Sequence, residues 1–135
     1  MKNIIKAIFF LSVVVFFASC EKDEGKLPNI SFKTGGSYIS SDATVTGGAS
    51  FTVGINASKS EDKDVLKKFN ISRSINGATA TSVFDKDLSG SEGDTFSYDY
   101  TATADAAPGQ TNKYTFTVTN RDGLVNQVSL TITVQ

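Results

Sequence analysis

The chain has 135 residues, with 13 Lys and Arg against 14 Asp and Glu, so its formal net charge at pH 7 is −1. This near balance, without a block of basic residues, excludes the cationic surface that nucleic-acid binding requires. The sequence has no histidine and a single cysteine. It therefore excludes imidazole catalysis, Ser–His and Cys–His nucleophile systems, histidine zinc sites and an internal disulfide.

The first predicted element is a secretory signal. Lys2 and Lys6 supply positive charge, and residues 7–18 form an uncharged, almost wholly apolar run. A membrane-spanning helix needs about 20 apolar residues, whereas the core of a signal peptide needs about 7 to 15. The sequence therefore predicts a signal peptide over residues 1–19 rather than a spanning anchor.

The end of this run carries the cysteine. Phe17-Ala18-Ser19-Cys20 resembles the lipobox of bacterial lipoproteins, with Phe17 in place of the usual aliphatic residue. The resemblance implies cleavage between Ser19 and Cys20 and a diacylglycerol on the Cys20 sulfur. Each buried methylene contributes about 0.8 kcal/mol, so two or three acyl chains would hold a small domain on a membrane. The alternative is a conventional signal that leaves Cys20 as a free thiol.

A charged segment follows the cysteine. Lys22-Asp23-Glu24 resembles the export signal that sends lipoproteins of Bacteroidota to the outer face of the outer membrane, although such a run can also be a solvated tether. We expect a bacterial outer-membrane protein that is lipid-anchored and exposed at the cell surface. Residues 20–28 would form the lipidated cysteine and a flexible polar tether.

Beyond the tether, five segments alternate apolar and polar residues, which is the period of a half-buried strand. Asn76-Gly77 and Asp122-Gly123 predict tight turns, because these pairs tolerate positive φ. The predicted fold class of residues 29–135 is all-β, a two-sheet sandwich of about seven strands. The five segments start at Phe51, Phe69, Phe96, Tyr114 and Val128, and weaker strands are expected at residues 30–32, extending toward Val45, and at residues 79–84.

The closing segment, KYTFTVTNRDGLVNQVSLTITV at residues 113–134, resembles the last hairpin of bacterial immunoglobulin-like domains of the PKD or fibronectin-like kind. The resemblance implies an immunoglobulin-like sandwich over residues 29–135. It makes Tyr114 a tyrosine corner, whose hydroxyl would bond back to residues 108–110. Phe51, Phe69, Phe96 and Phe116 are expected in one core.

One segment is typical of a metal site. DKDLSGSEGD, residues 85–94, starts like calcium loops in which alternate oxygen side chains converge around a glycine turn. Calcium takes six to eight oxygens, and Asp85, Asp87, Ser89 and Asp94 would supply part of that shell. The alternative is an acidic loop between two strands, because Phe96 stands where an EF-hand has its glutamate. No other cofactor is expected.

The leading functional hypothesis is a surface module, not an enzyme, that binds a protein or glycan partner or forms part of an envelope complex. Tyr38, Tyr98 and Tyr100 would suit a sugar-stacking face, although Tyr98 and Tyr100 also continue the core pattern of Phe96. The lack of tryptophan weighs against glycan binding.

The rival hypothesis uses the acidic loops, either in a calcium-dependent binder or in a small hydrolase. A hydrolase would pair Asp62 with Asp64, or Asp85 with Asp87, as acid and base. Such pairs need a concave, partly desolvated setting to separate their pKa values. Polar turns favour a solvated loop instead.

Overall fold

A computed structural model describes residues 25–135. The predicted signal peptide, Cys20 and Lys22-Asp23-Glu24 lie outside the described residues. Residues 25–135 contain no helix with the length and hydropathy of a membrane span. The strands are β1 (Asn29–Phe32), β2 (Ala43–Val45), β3 (Ser50–Ser58), β4 (Leu66–Ile75), β5 (Thr81–Asp87), β6 (Thr95–Thr103), β7 (Thr111–Asn120) and β8 (Val125–Val134), and one 3-10 helix (Gly90–Gly93) precedes β6.

These strands form two sheets, which confirms the predicted all-β sandwich. The three-stranded sheet has the order β1-β3-β6, and the five-stranded sheet has the order β2-β8-β7-β4-β5. Residues 25–135 contain eight strands rather than about seven, because the segment from Ile30 to Val45 divides into two. β1 runs antiparallel to β3, and β2 crosses over to run parallel to β8.

The core lies between the sheets and is lined by alternate residues of every long strand, as the period of two requires. Phe51, Phe69, Phe96 and Phe116 are all buried, as predicted. Phe69 contacts Phe96 with ring centroids 5.1 Å apart. The sequence therefore identified the inward-facing row of each main strand correctly.

The β4–β5 turn takes the form that its sequence predicts. Asn76 and Gly77 have φ values of 50° and 77°, as a type I′ turn requires at both central positions. The Ala78 amide donates to the Ile75 carbonyl at 2.9 Å and closes the turn.

The chain enters the sandwich at the end where β3 finishes, because Asn29 is paired with Ser58. We call this the entry end. Three consecutive carbonyls of the expected tether are hydrogen-bonded there. The Lys26 carbonyl accepts from Asn120 Nδ2 at 3.2 Å, that of Leu27 accepts from the Ser60 hydroxyl, and that of Pro28 accepts from Asn126 Nδ2 at 2.9 Å. Residues 26–28 are thus held against the sandwich.

Candidate functional site

The residues that the structure describes enclose no cavity. Among residues 25–135, no three His, Cys, Asp or Glu side chains are placed together so that they could hold a metal ion. The candidate sites are therefore surface arrangements. Three contain charged groups in specific geometry: the acidic loop, the outer face of the three-stranded sheet, and a network around Arg73.

In the acidic loop, the carboxylates of Asp85 and Asp94 contact lysines from other strands and loops. Asp85 accepts from Asn70 Nδ2 at 3.2 Å and lies 3.2 Å from Lys68 Nζ. The hydrogen bond from the Asn70 amide, and then that from the Lys68 ammonium, lower the pKa of Asp85. Asp94 lies 2.7 Å from Lys59 Nζ.

The remaining loop residues have structural positions. Asp87 ends β5, and Ser89 caps the 3-10 helix, with its amide donating to Glu92 Oε2 at 3.4 Å. Glu92 in turn lies 3.2 Å from Lys86 Nζ. The structure does not gather Asp85, Asp87 and Asp94 into a metal-holding group within the described residues. The calcium site stays a prediction that only a binding experiment can test.

Thermal melts provide that experiment. Asp85 and Asp94 already have ammonium partners, so we expect equal melting temperatures in millimolar calcium and in chelator. A bound ion at one hundred times its dissociation constant would stabilise the fold by about 2.7 kcal/mol. A calcium-dependent rise that disappears in Asp85→Asn combined with Asp87→Asn would establish the calcium loop instead.

The second carboxylate pair, Asp62 and Asp64, is divided between two environments. Asp62 is exposed, whereas Asp64 is 2% exposed and accepts from Asn120 Nδ2 at 2.7 Å and from the Val65 amide at 2.7 Å. Asp64 therefore holds the β3–β4 loop to the end of β7. This is a structural use of the carboxylate, because its oxygens are occupied by protein donors.

The three tyrosines considered for a sugar-stacking face do not share one face. Tyr98 stacks on Phe84 with ring centroids 4.6 Å apart, and Tyr100 packs on Tyr114 at 5.6 Å. Both belong to the inward row of β6 and pack against the core. Tyr38 instead lies on the outer side of the three-stranded sheet, next to Thr52.

Tyr38 forms a hydrogen-bonded group with Lys33 and Asp99, which we call the Tyr38 cluster. Its hydroxyl donates to Asp99 Oδ2 at 2.9 Å, and Lys33 Nζ lies 2.6 Å from Asp99 Oδ1 and 5.5 Å from the tyrosine ring centroid. The hydrogen bond with Lys33 lowers the pKa of Asp99 and raises that of Lys33. The three side chains therefore hold one another in a fixed arrangement on the surface.

Gly54 makes room for the Tyr38 cluster. A Cβ at this position would lie 2.6 Å from Lys33 Cδ and 2.8 Å from Tyr38 Cε1, so any larger residue would displace both side chains. Sequence reasoning missed the cluster because its members come from three separate segments. The glycine inside an otherwise alternating strand was the one available signal, since it often marks a close approach.

The third arrangement, the Arg73 network, lies at the opposite end of the sandwich from the entry end. Arg73 donates to Asn112 Oδ1 from Nε at 3.1 Å and from Nη2 at 2.7 Å, and it forms an ion pair with Asp105. Gln110 Nε2 donates to Asp105 at 2.6 Å. The Gln110 amide, and then the Arg73 guanidinium, lower the pKa of Asp105.

Tyr114 belongs to this network rather than to a tyrosine corner. Its ring lies 5.8 Å from that of Phe51, 5.6 Å from that of Tyr100 and 5.9 Å from the Arg73 guanidinium carbon. No hydrogen bond to residues 108–110 is formed by Tyr114 in the described part of the chain, so that prediction was wrong. Burial raises the pKa of Tyr114 to about 12.

The raised pKa of Tyr114 predicts a loss of stability at alkaline pH. The folded state favours the neutral phenol, so the contribution is complete below pH 10 and is lost as the pH rises through about 12. We expect the loss from Tyr114 to reach about 2 to 3 kcal/mol. It should be smaller in Tyr114→Phe, which keeps Tyr100, whose pKa burial also raises. Urea titrations between pH 9 and about 12 measure this loss. The control is Tyr38→Phe, which alters a half-buried ring and should lose stability at alkaline pH as the wild type does. Equal alkaline losses in wild type and Tyr114→Phe would contradict this.

Comparison with known proteins gives a likeness of fold. No protein-family model and no curated protein sequence match the chain. The structure is similar to superoxide reductase (neelaredoxin) from Ignicoccus hospitalis, with a TM-score of 0.54 and 9% identity over 82% of this chain and 81% of that one. A single-residue variant of that protein gives a TM-score of 0.54 and 10% identity over 87% of this chain and 86% of that one. The sporulation control protein Spo0M from Bacillus subtilis gives a TM-score of 0.45 and 10% identity over 81% of this chain and 49% of that one.

These comparisons correct one prediction from the sequence, that the chain is not an enzyme. Both similar structures are superoxide reductases, which are enzymes, and the likeness of fold extends over more than four-fifths of each chain. The all-β sandwich is therefore a fold that also occurs in enzymes. At 9 and 10% identity the likeness concerns the fold alone, because activity depends on site residues and not on architecture.

Proposed function

We propose that the chain is a bacterial lipoprotein of the cell envelope, anchored through lipidated Cys20, whose sandwich domain binds a protein or glycan partner at the cell surface. The observation that carries the proposal is the hydrogen-bonded entry end. Lys26, whose carbonyl is hydrogen-bonded there, lies six positions after Cys20. An anchor and a folded domain would thus be joined by a very short connection.

The connection sets the geometry of the proposed protein. Six extended residues span at most about 20 Å, so the entry end would lie close to the lipid. The opposite end carries the Arg73 network, the β4–β5 turn and Gln135, and it would face away from the membrane. Both sheets would then stand upright on the membrane with their outer faces open to a partner.

The strand order supports an immunoglobulin-like assignment within the sandwich. The first, third and sixth strands share one sheet, and the fourth, seventh and eighth lie together in the other. In immunoglobulin-like domains, strands A, B and E are likewise separated from C, F and G. β1, β3 and β6 correspond to the first set, and β4, β7 and β8 to the second.

The outer face of the three-stranded sheet supports the binding role. It presents the Tyr38 cluster beside a row of small hydroxyl and amide side chains, and such groups form hydrogen bonds with peptide and sugar alike. Thr52 and Thr101 are hydrogen-bonded to each other at 2.9 Å across β3 and β6. This ordered arrangement favours a polar partner.

Replacing Cys20 with alanine tests the anchor. We expect the Cys20→Ala protein to lose all labelling by fatty acid and to leave the membrane fraction, because the acyl chains supply the membrane affinity. Fractionation of cells grown with a labelled fatty acid measures both effects. The control replaces Lys22, Asp23 and Glu24 with alanine, which should keep the lipid and reduce protease accessibility on intact cells. Cys20→Ala protein that stays in the membrane would refute the anchor.

Cross-linking on intact cells tests the partner. Wild-type protein should capture a protein or glycan that Tyr38→Ala captures less well, and Thr117→Ala, on the outer face of the other sheet, should behave like wild type. Equal capture by all three would show that the face of the three-stranded sheet is not the binding surface.

A further inference from the structure

The two sheets end in four edge strands, and three of them are protected against pairing with another chain. Edge strands expose unpaired amides and carbonyls, and proteins blunt them by short length, charges, bulges or prolines. β1 has 4 residues and β2 has 3. β5 pairs with β4 through a register shift next to Ile71, and it carries Asp85, Lys86 and Asp87.

β6 is the exception. It has 9 residues, TFSYDYTAT, without proline or a basic residue. It pairs with β3 from Thr95 to Thr103 without a register shift. Its one charged residue, Asp99, already has an ion-pair partner in Lys33. β6 is therefore long, regular and free of proline, and its single charge is already paired, so its edge is open to strand pairing.

The hydrogen-bond pattern identifies which groups this edge presents. The Ala104 amide donates to Ala49 on the β3 side, and the Asp94 carbonyl accepts from Lys59 on the same side. Because backbone groups alternate along an antiparallel strand, the even-numbered residues of β6 direct their amides and carbonyls toward β3. The odd-numbered residues direct theirs to the open edge. They are Thr95, Ser97, Asp99, Thr101 and Thr103, and all five are exposed.

We propose that β6 pairs antiparallel with β6 of a second copy of this chain, about a two-fold axis at Thr101, and joins two three-stranded sheets into one of six strands. The proposal does not depend on the lipid anchor. A two-fold contact is self-complementary, because the same strand supplies both sides. Each copy offers the same alternating donors and acceptors that the other needs.

Charge and side-chain size select the register. An axis at Asp99 would place two carboxylates directly opposite each other, which destabilises a strand pair. An axis at Thr101 places Asp99 opposite Thr103 of the second copy and Thr101 opposite itself. The Thr52–Thr101 hydroxyl pair, 2.9 Å apart, would then lie next to the same pair of the second copy. On the inner side, Tyr100 would lie opposite Ala102, so a large side chain meets a small one.

Light scattering or sedimentation of the detergent-solubilised full chain tests the pairing. Wild type should show a concentration-dependent dimer. Thr101→Lys should raise the dissociation constant of the dimer at least about tenfold, because two ammonium groups would face each other across the axis. The matched control is Thr117→Lys, which places the same charge on the outer face of the other sheet and should dimerise like wild type.

A proline variant separates loss of pairing from loss of folding. The Thr101 amide points to the open edge, so Thr101→Pro removes no hydrogen bond to β3, and proline is tolerated at such edge positions. We expect the variant to keep its circular dichroism spectrum and to be monomeric. In Tyr100→Pro, by contrast, an amide directed at β3 is lost, and the fold itself should be weakened.

Oxidative cross-linking tests the register of the proposed β6–β6 pair. Directly opposed residues of a hydrogen-bonded antiparallel pair have Cα atoms about 5.5 Å apart, within the range of a disulfide. Thr101→Cys should therefore yield a covalent dimer beyond any that wild type gives through Cys20. Thr52→Cys, on the neighbouring inner strand, should give no more than wild type.

Several results would overturn the proposal. A chain that stays monomeric at all concentrations would do so, as would a dimer unaffected by Thr101→Lys and Thr101→Pro. Equal cross-linking by Thr101→Cys and Thr52→Cys would refute the register. A Thr101→Cys adduct with a different protein would show that the edge pairs with a strand of another partner rather than with a second copy.

Discussion

Replacing Phe116 with alanine is expected to lower the free energy of unfolding by about 3 to 5 kcal/mol, the range for large aromatic residues in cores. Phe116 is 0% exposed. Its ring meets that of Phe32 edge-on at 5.8 Å and that of Tyr100 at 6.2 Å. Removing it leaves a cavity between both sheets, since Phe32 and Tyr100 belong to the three-stranded side. Domains have a total stability of about 5 to 15 kcal/mol, so this one change can unfold the protein.

Urea denaturation of the full chain measures this loss, and Val125→Ala is the control. Val125 lies on the adjacent strand β8 but is 48% exposed, so its truncation should change the stability by less than about 0.5 kcal/mol. A loss below about 1 kcal/mol for Phe116→Ala would mean that the row of β7 containing Phe116 does not face the core.

The alternation of apolar and polar residues was sufficient to predict the main strands and the core. Phe51, Phe69, Phe96 and Phe116 each belong to a segment in which apolar and polar residues alternate. A strand with this pattern has one buried face, whichever strand it pairs with. Turn residues such as Asn76 and Gly77 were also readable, because their backbone conformation depends on local sterics. The strand pattern and the turns both depend on residues that are close together in the sequence.

The features that the sequence did not reveal depend on pairing between distant segments. Lys33 meets Asp99 across the three-stranded sheet because both flank Gly54 on β3. Lys59 and Lys68 reach the acidic loop in the same way. The spacing within residues 85–94 predicted a calcium loop, but it could not show which lysines from elsewhere in the fold contact Asp85 and Asp94.

The function was harder to predict than the fold for a related reason. Composition excluded several chemistries, but it could not establish that the chain is not an enzyme, because superoxide reductases have a similar fold. The period of β6 favoured a core position for Tyr98 and Tyr100 over a sugar-stacking face, and their contacts with Phe84 and Tyr114 establish it.

Truncating Asn120 is the second change with a large expected effect, because this buried side chain satisfies four polar groups. It is 2% exposed and donates to Asp64 Oδ2 at 2.7 Å and to the Lys26 carbonyl at 3.2 Å. Its own oxygen accepts from the amides of Asp122 at 3.1 Å and Leu124 at 2.8 Å. Asn120 therefore ties the entering chain, the β3–β4 loop and the β7–β8 turn into one unit.

We expect Asn120→Ala to lower the free energy of unfolding by about 3 kcal/mol or more, because it leaves a buried carboxylate and two amides without their partner. Asn120→Asp should cost at least as much at neutral pH, since it keeps the acceptor for the turn but replaces the donor to Asp64 with a second carboxylate. Asn126→Ala is the matched control. It removes the hydrogen bond to the Pro28 carbonyl at 2.9 Å and an exposed one from the Gln127 amide at 2.9 Å, and should cost about 1 kcal/mol. Urea titration of the three variants decides the matter. Equal losses for Asn120→Ala and Asn126→Ala would show that the Asp64–Asn120 contact does not organise the entry end, and that residues 26–28 are held by independent, additive hydrogen bonds.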